Sequence, residues 1–226
     1  MGGLTSRSRI GITEAFSTTT TPRQGQTQAQ AFHDTLLSRR TINEFEPVLP
    51  NYWEMYLDEA VEAATYAPNH KRTEPWRFHL LGTHAIQRVC ELNAALVTRK
   101  KGPEAGEKKL KRWLAMPGWL VVTQVIDSEE SENDTKYTSD PTSVTREDYA
   151  ACCCAVQNLC LSLHANGIGT KWTTGPVNFD DRFAEAAGLS ENELVVGTIW
   201  FGKPSGKPPL PPKKRKTLAD VFVKHS

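Results

Sequence analysis

Apolar residues recur every three or four positions through Trp53, Tyr56, Leu57, Ala60, Val61 and Ala64. That stripe predicts an amphipathic helix capped by Asn51 and running to about Tyr66. Ala31 to Arg40 carries Phe32, Leu36 and Leu37 on one side and predicts a shorter helix before it. Between the two, the prolines of Glu46-Pro47-Val48-Leu49-Pro50 hold a loop extended. Ala67-Pro68-Asn69-His70-Lys71 breaks the stripe, and Pro75 leads into Trp76 to Leu81, whose alternation predicts a strand that Gly82 ends. A helix from about Ala85 to Val97 follows. Lys100 to Arg112 is so charged that it reads as a solvated helix, stopped by Pro117-Gly118.

Trp119 to Val125 has the continuous apolar run of a buried strand, whereas Ser128 to Asp140 is acidic, aperiodic and reads as an exposed loop. Tyr149 to Ala165 is apolar on nearly all sides, the signature of a central helix, with Gly167 as its C-terminal cap. Phe179 to Ala187 predicts a short helix closed by Gly188, and Val195 to Phe201 a β-branched and aromatic strand. Gly202 to Pro212 reads as an extended loop, and Thr217 to Val223 as a closing turn or strand. Strands interleaved with helices place the chain among the α/β or α+β folds.

Composition narrows the function classes. The 226 residues suffice for one core, and a net charge of +1 gives no global pull toward nucleic acid or an anionic membrane. No apolar run approaches the roughly 18–20 residues that span a bilayer. Five cysteines, three of them adjacent at Cys152 to Cys154, make a poor disulfide framework and fit a reducing, cytoplasmic setting. Residues 1–30 are rich in Ser, Thr, Gly and Gln, with Arg7, Arg9 and Arg23 against a single acid, Glu14. They predict a disordered tail ahead of a domain over 31–226. The same composition fits a transit peptide, which would place the protein in a mitochondrion or other organelle.

The candidate chemistry lies in two runs far apart in sequence. Ser38-Arg39-Arg40-Thr41 offers two fixed cations and hydroxyls, and Asn166 to Gly175 offers three glycines, Trp172, Thr170, Thr173 and Thr174. Together they supply what a phosphorylated aromatic cofactor needs: cations, backbone donors and a flat surface. Plainer readings stand beside these. Cations favour a helix C-terminus, glycines cap helices, and Asn69 could simply bond the backbone of its turn. Cys160 and His164 share a helix face, where core packing outweighs ligation, and His79 and His84 lack zinc spacing, so no metal site is expected. The glycines run from helix to strand, opposite to a dinucleotide-binding fingerprint. Lys213-Lys214-Arg215-Lys216 suits a nucleic-acid patch, a solvated loop, or a cation reaching back to the phosphate held by Arg39.

Four segments, in order, resemble the FMN-dependent nitroreductase family over roughly residues 33 to 222. Ser38-Arg39-Arg40-Thr41-Ile42-Asn43-Glu44-Phe45 is similar to its opening run. Ala67-Pro68-Asn69-His70-Lys71 through Pro75-Trp76-Arg77-Phe78 resembles its Pro-Trp block, most like a small bacterial subgroup. Gly167 to Gly175 resembles the family's glycine-rich turn, and Val195 to Pro204 its Val-Gly strand. The resemblance implies an α+β fold, with a mixed, mainly antiparallel sheet wrapped by helices, and a homodimer with FMN at the interface. By motif, Arg39, Arg40 and Thr41 would hold the phosphate and ribityl. His70, with Asn69 or Lys71, would approach from their turn. Trp172, Thr173 and Thr174 would flank the isoalloxazine, and Arg215 and Lys216 would meet the phosphate.

The implied activity is ping-pong: NADH or NADPH reduces FMN and leaves, and a small oxidant such as a nitroaromatic or quinone then takes the electrons. No protein acid or base is implied to be catalytic, because the flavin carries the chemistry. Dehalogenase or dehydrogenase branches of the fold, and a flavin-binding module with little turnover, are the alternatives. Four features depart from the family pattern: Asn43 for a third arginine, Glu74 for a glutamine, Thr173 for the subgroup's arginine, and the acidic stretch from Ser128 to Asp140.

Overall fold

The computed structural model describes residues 25–126, 143–206 and 215–225. The acidic stretch from Ser128 to Asp140, residues 1–24 and Lys213-Lys214 lie outside that description. Four antiparallel strands form one sheet in the order β1-β2-β4-β3, with β1 Trp76–Leu80, β2 Gly118–Val125, β3 Gly169–Thr173 and β4 Glu193–Gly202. A parallel bridge, Thr41 to Thr170, lies outside the named strands and sets the opening run along the outer edge of β3, while the four-stranded sheet itself is wholly antiparallel rather than mixed.

Helices cover both faces, so the two central strands are buried on both sides and carry apolar residues almost without alternation. One face presents Leu120, Val122, Ile199 and Phe201 to α2 (Trp53–Thr65) and α5 (Ser143–Ala165). The other presents Trp119, Val121 and Trp200 to α3 (Thr83–Lys101), α4 (Pro103–Leu114) and α6 (Phe183–Ala187). There the rings of Trp113, Trp119 and Trp200 meet with centroids 5.1–5.5 Å apart at steep angles, the preferred edge-on aromatic geometry.

Several boundaries differ from the sequence reading for local reasons. The first helix, α1 (Gln28–Ser38), starts earlier than Ala31 because Thr27 accepts a bond from the Gln30 amide and caps it. Tyr52, in the left-handed region at φ 64°, precedes α2 in place of the expected Asn51 cap. Lys100 to Arg112 is not a freely solvated helix. Gly102 (φ 90°) ends α3, Pro103 starts α4, and α4 packs back on α3 with Trp113 buried. Gly106 permits that contact, since a Cβ there would collide with the Thr98 hydroxyl. The expected Phe179 to Ala187 helix divides into a 3-10 turn, Pro176–Phe179, and α6, which Gly188 closes in the left-handed region as expected. The closing segment is a helix, α7 (Leu218–Val221), held by reciprocal bonds between Thr217 and Asp220. No helix of the described residues is long and apolar enough to cross a membrane.

The central helix α5 is only partly enclosed. Ala151, Cys152, Ala155, Val156, Leu159, Cys160 and Leu163 are buried against the sheet and α2, while Ala150, Cys154 and Gln157 face outward. A sequence apolar all round has thus kept one uncovered stripe.

Candidate functional site

The C-terminus of α5 builds the first half of the site. Gly167, at φ 75°, lets the chain reverse: its amide donates to the His164 carbonyl at 3.0 Å, and the Ile168 amide to the Leu163 carbonyl at 2.9 Å. The chain then enters β3, and the opening run lies along that strand. The Ile42 amide donates to the Thr170 carbonyl at 3.0 Å. This approach requires Gly169, where a Cβ would lie 2.6 Å from Ile42 Cγ1 and 2.9 Å from Pro204 Cγ. The fold of the single chain therefore brings Arg39, Arg40 and Thr41 beside the glycine-rich turn.

The two arginines differ. Arg40 Nη1 donates to the carbonyls of Leu37 and Arg39, closing the end of α1 and leaving its other donors for further use. Arg39 is half-buried, and among the described residues nothing accepts a hydrogen bond from its guanidinium or pairs with it. Beside them Ser38 Oγ and His164 Nε2 lie 2.9 Å apart. Burial, then Arg39 and Arg40, push the His164 imidazole below its ordinary value and keep it neutral. Burial pushes the neighbouring Cys160 thiol up. Thr41 leaves its side chain exposed.

On β3, Trp172 is 37% exposed and stands over Gly197, where a Cβ would lie 2.2 Å from its indole nitrogen. The Val-Gly pattern of β4 is thus a seat for this ring. Thr173 is held from behind: its carbonyl accepts from Asn178 Nδ2 at 3.5 Å, and the same amide reaches Thr198 Oγ1 at 3.0 Å. Thr174 is exposed. Asn43 accepts from Lys171 Nζ at 2.8 Å and holds that ammonium 5.4 Å above the Trp200 ring. Burial, with Arg112 and Lys109 nearby, pushes the Lys171 ammonium below its ordinary value.

The third group, the turn after α2, stands elsewhere. Asn69 clasps it, accepting from the Glu74 amide at 3.1 Å and donating to the Ala67 carbonyl at 3.3 Å. Lys71, Arg72 and Glu74 all have left-handed φ of 44–58°, an unusual concentration for residues other than glycine. The turn docks on the start of α5: Thr73 Oγ1 donates to Asp148 Oδ1 at 2.9 Å, and His70, 60% exposed, lies 3.7 Å from Glu147. Glu147 and His164 are separated by about 25 Å along the helix axis. Within one chain, His70 and Arg39 therefore lie toward opposite ends of α5. Arg215 and Lys216 are exposed on the segment carrying α7, and among the described residues neither bonds to the opening run.

Sequence reasoning assigned His164 to core packing and left out Asn178. The shared face of Cys160 and His164 was the available signal for the first. Nothing local marks Asn178, whose importance comes from the strand ends it joins.

Residues 36–203 match the family model described as the Nitroreductase family. A Bacillus subtilis (strain 168) protein named as an NAD(P)H nitroreductase, YfhC, is 33% identical over 202 residues, covering 87% of this chain and 95% of its own. A nitroreductase-like family protein from Bacillus cereus superposes with a TM-score of 0.68 at 26% identity, over 88% of this chain and 98% of that one. A nitroreductase structure from Exiguobacterium sibiricum, in complex with FMN, shares the fold with a TM-score of 0.64 at 16% identity, covering 86% of this chain and 97% of that one. With its four motif segments in order, its helix-covered sheet and these likenesses, the chain belongs to the nitroreductase family.

Proposed function

We propose that this chain is an FMN-dependent NAD(P)H oxidoreductase, working as a homodimer and reducing a small acceptor such as a nitroaromatic or quinone by a ping-pong route. The observation that carries the reading is Arg39. A half-buried guanidinium without an acceptor among the described residues fits a ligand anion, and a phosphate monoester matches its fork of donors. Arg40 contributes its remaining donors and Thr41 its hydroxyl. Trp172, seated on Gly197, offers a flat apolar wall, with Thr173 and Thr174 beside it. Bound FMN would supply the hydride-accepting and electron-donating chemistry that these side chains lack. What the chain contributes is the phosphate anchor, the orientation of the ring and the exclusion of water along the Trp172 wall.

The dimer reading rests on geometry and on uncovered apolar surface. His70 and Arg39 sit at opposite ends of α5, farther apart than one extended FMN can bridge. A flavin held by Arg39 therefore meets the His70 turn of a second copy, related by a two-fold axis. The outward stripe of Ala150, Cys154 and Gln157 gives α5 a face for that copy. Phe32 and Leu37 on α1, and Leu218, Val221, Phe222 and Val223 on the C-terminal segment, are more than half exposed and would be covered by the same association. Arg215 and Lys216, just ahead of α7, would then approach the partner's cofactor.

Purification followed by an absorption spectrum and identification of the released cofactor tests the reading. A yellow dimer releasing FMN is expected, with turnover of nitroaromatics, quinones or halophenols defining the acceptor. A colourless protein that FMN cannot reconstitute would overturn it.

A further inference from the structure

We propose that His164 is a positioning residue of the phosphate anchor: it orients Ser38 beside Arg39 and Arg40, and takes up a proton when a phosphate monoester docks there. The inference rests on the FMN reading above and joins Ser38, the first residue of the opening run, to His164, which lies outside the four motif segments. Its basis is the 2.9 Å contact between Ser38 Oγ and His164 Nε2, which ties the end of α1 to the last turn of α5. This contact fixes the residue immediately before Arg39, so the direction in which that guanidinium points depends on it.

The charged and titratable groups around the imidazole are few. Arg39 and Arg40 face it from the run after α1, and Cys160 lies one turn back on α5. Glu59 on α2 bonds Asn166, at 3.5 Å, and is not a partner of the imidazole. From β3, Thr170 bonds Cys160. Burial first, and then the positive charge of Arg39 and Arg40, hold the His164 imidazole below its ordinary value. In the tautomer with a bare Nε2, which the proposal assigns, the imidazole accepts the Ser38 hydroxyl hydrogen at 2.9 Å in preference to the Thr35 carbonyl, 3.4 Å away, and that hydrogen is then unavailable to a ligand.

A phosphate monoester reverses both conditions. Its charge of about −1.5 to −2 offsets the two arginines, so the imidazole takes one proton from solvent. The protonated Nε2–H then donates to Ser38 Oγ, and the hydroxyl hydrogen turns toward a phosphate oxygen. One proton enters and no covalent bond changes. A second donor thus becomes available only when the anion is present, which favours FMN over riboflavin.

The test measures dissociation constants of FMN and riboflavin for the full-length protein, His164→Gln and Ser38→Ala, between pH 8 and pH 6 at fixed ionic strength. The second ionisation of the phosphate weakens FMN binding at low pH in every variant, so the informative quantity is the ratio of variant to wild-type constants. For His164→Gln this ratio should rise about 2- to 3-fold from pH 8 to pH 6 with FMN, the mark of extra proton uptake by the wild type on binding. With riboflavin it should stay flat. Calorimetry of the wild type in buffers of different ionisation enthalpy should show net proton uptake with FMN, beyond that of the phosphate itself, and none with riboflavin. FMN binding with a flat ratio and no uptake would overturn the role of His164 and leave the cofactor reading intact. Failure of the wild type to bind FMN at any pH would overturn both.

Discussion

The glycines of the turn after α5 are not equivalent, and replacing them one at a time tests the closure of the site. At Gly169, a Cβ would lie 2.6 Å from Ile42 Cγ1, 3.1 Å from Ile42 Cβ and 2.9 Å from Pro204 Cγ. Ile42 is β-branched and Pro204 a ring, so neither yields by changing rotamer, and the opening run itself must move away from β3. Overpacking of this kind costs about 1–3 kcal/mol, and weakening the Ile42 amide bond to Thr170 adds about 0.5–1.5 kcal/mol. Gly169→Ala should therefore lose about 2–4 kcal/mol in urea unfolding. It should also weaken FMN roughly 10- to 100-fold, because Arg39 travels with the displaced run. Gly175→Ala is the matched control: φ is −68°, and the nearest atom to its new Cβ is 3.9 Å away. It should unfold within about 0.5 kcal/mol of the parent. Unfolding midpoints and FMN constants for the two variants, measured side by side, decide the matter. If Gly169→Ala behaves like Gly175→Ala in both, the close approach of the two runs is not what the motif glycine provides.

Other consequences follow from the same geometry. Arg39→Gln should weaken FMN roughly 10- to 100-fold while leaving riboflavin nearly unchanged, since a charge-assisted bond contributes about 1.5–3 kcal/mol; equal losses for the two flavins would remove the phosphate role. Gly197→Ala should displace the Trp172 indole, changing tryptophan fluorescence and weakening both flavins. Mixing Arg39→Gln with His70→Ala should restore flavin binding in heterodimers, because one of their two sites then carries both native residues; no recovery would mean that one subunit supplies the pair. In the apo protein the lowered pKa of His164 makes the unfolded chain bind more protons below its ordinary value of 6.5. Its contribution to stability is therefore full above pH 6.5 and declines as pH falls toward the folded-state value. Urea midpoints should show this decline in the wild type, less that of His164→Gln. An identical pH dependence in the two proteins would contradict it.

What could be read from the sequence was set by how local each signal is. The α2 stripe, the strand β2 and the cap at Gly167 each arise within a few residues, and the motif order fixed the family. The packing of α4 was hidden because its charges, Lys108, Lys111 and Arg112 among them, dominate the pattern, while the residues that dock it are Gly106 and Trp113. The start of α2 was misplaced because the Tyr52 backbone, not the Asn51 side chain, makes the turn. At the site, Arg39 and Trp172 were readable as types, but the reasons they work lie elsewhere in the chain. Gly169 serves Ile42, Gly197 serves Trp172, and Ser38 meets His164 across 126 positions. Those pairings exist only once the sheet edge has formed. The separation of His70 from Arg39 likewise needed the length of α5 between them.

The most direct test of the account is an anaerobic two-step reaction of the FMN-loaded dimer. NADH or NADPH alone should bleach the flavin, and after the oxidised nicotinamide is removed by desalting, a nitroaromatic or quinone should restore the colour, one acceptor equivalent per two electrons. A flavin that stays oxidised with either donor, or a reduced enzyme that no such acceptor reoxidises, would contradict it.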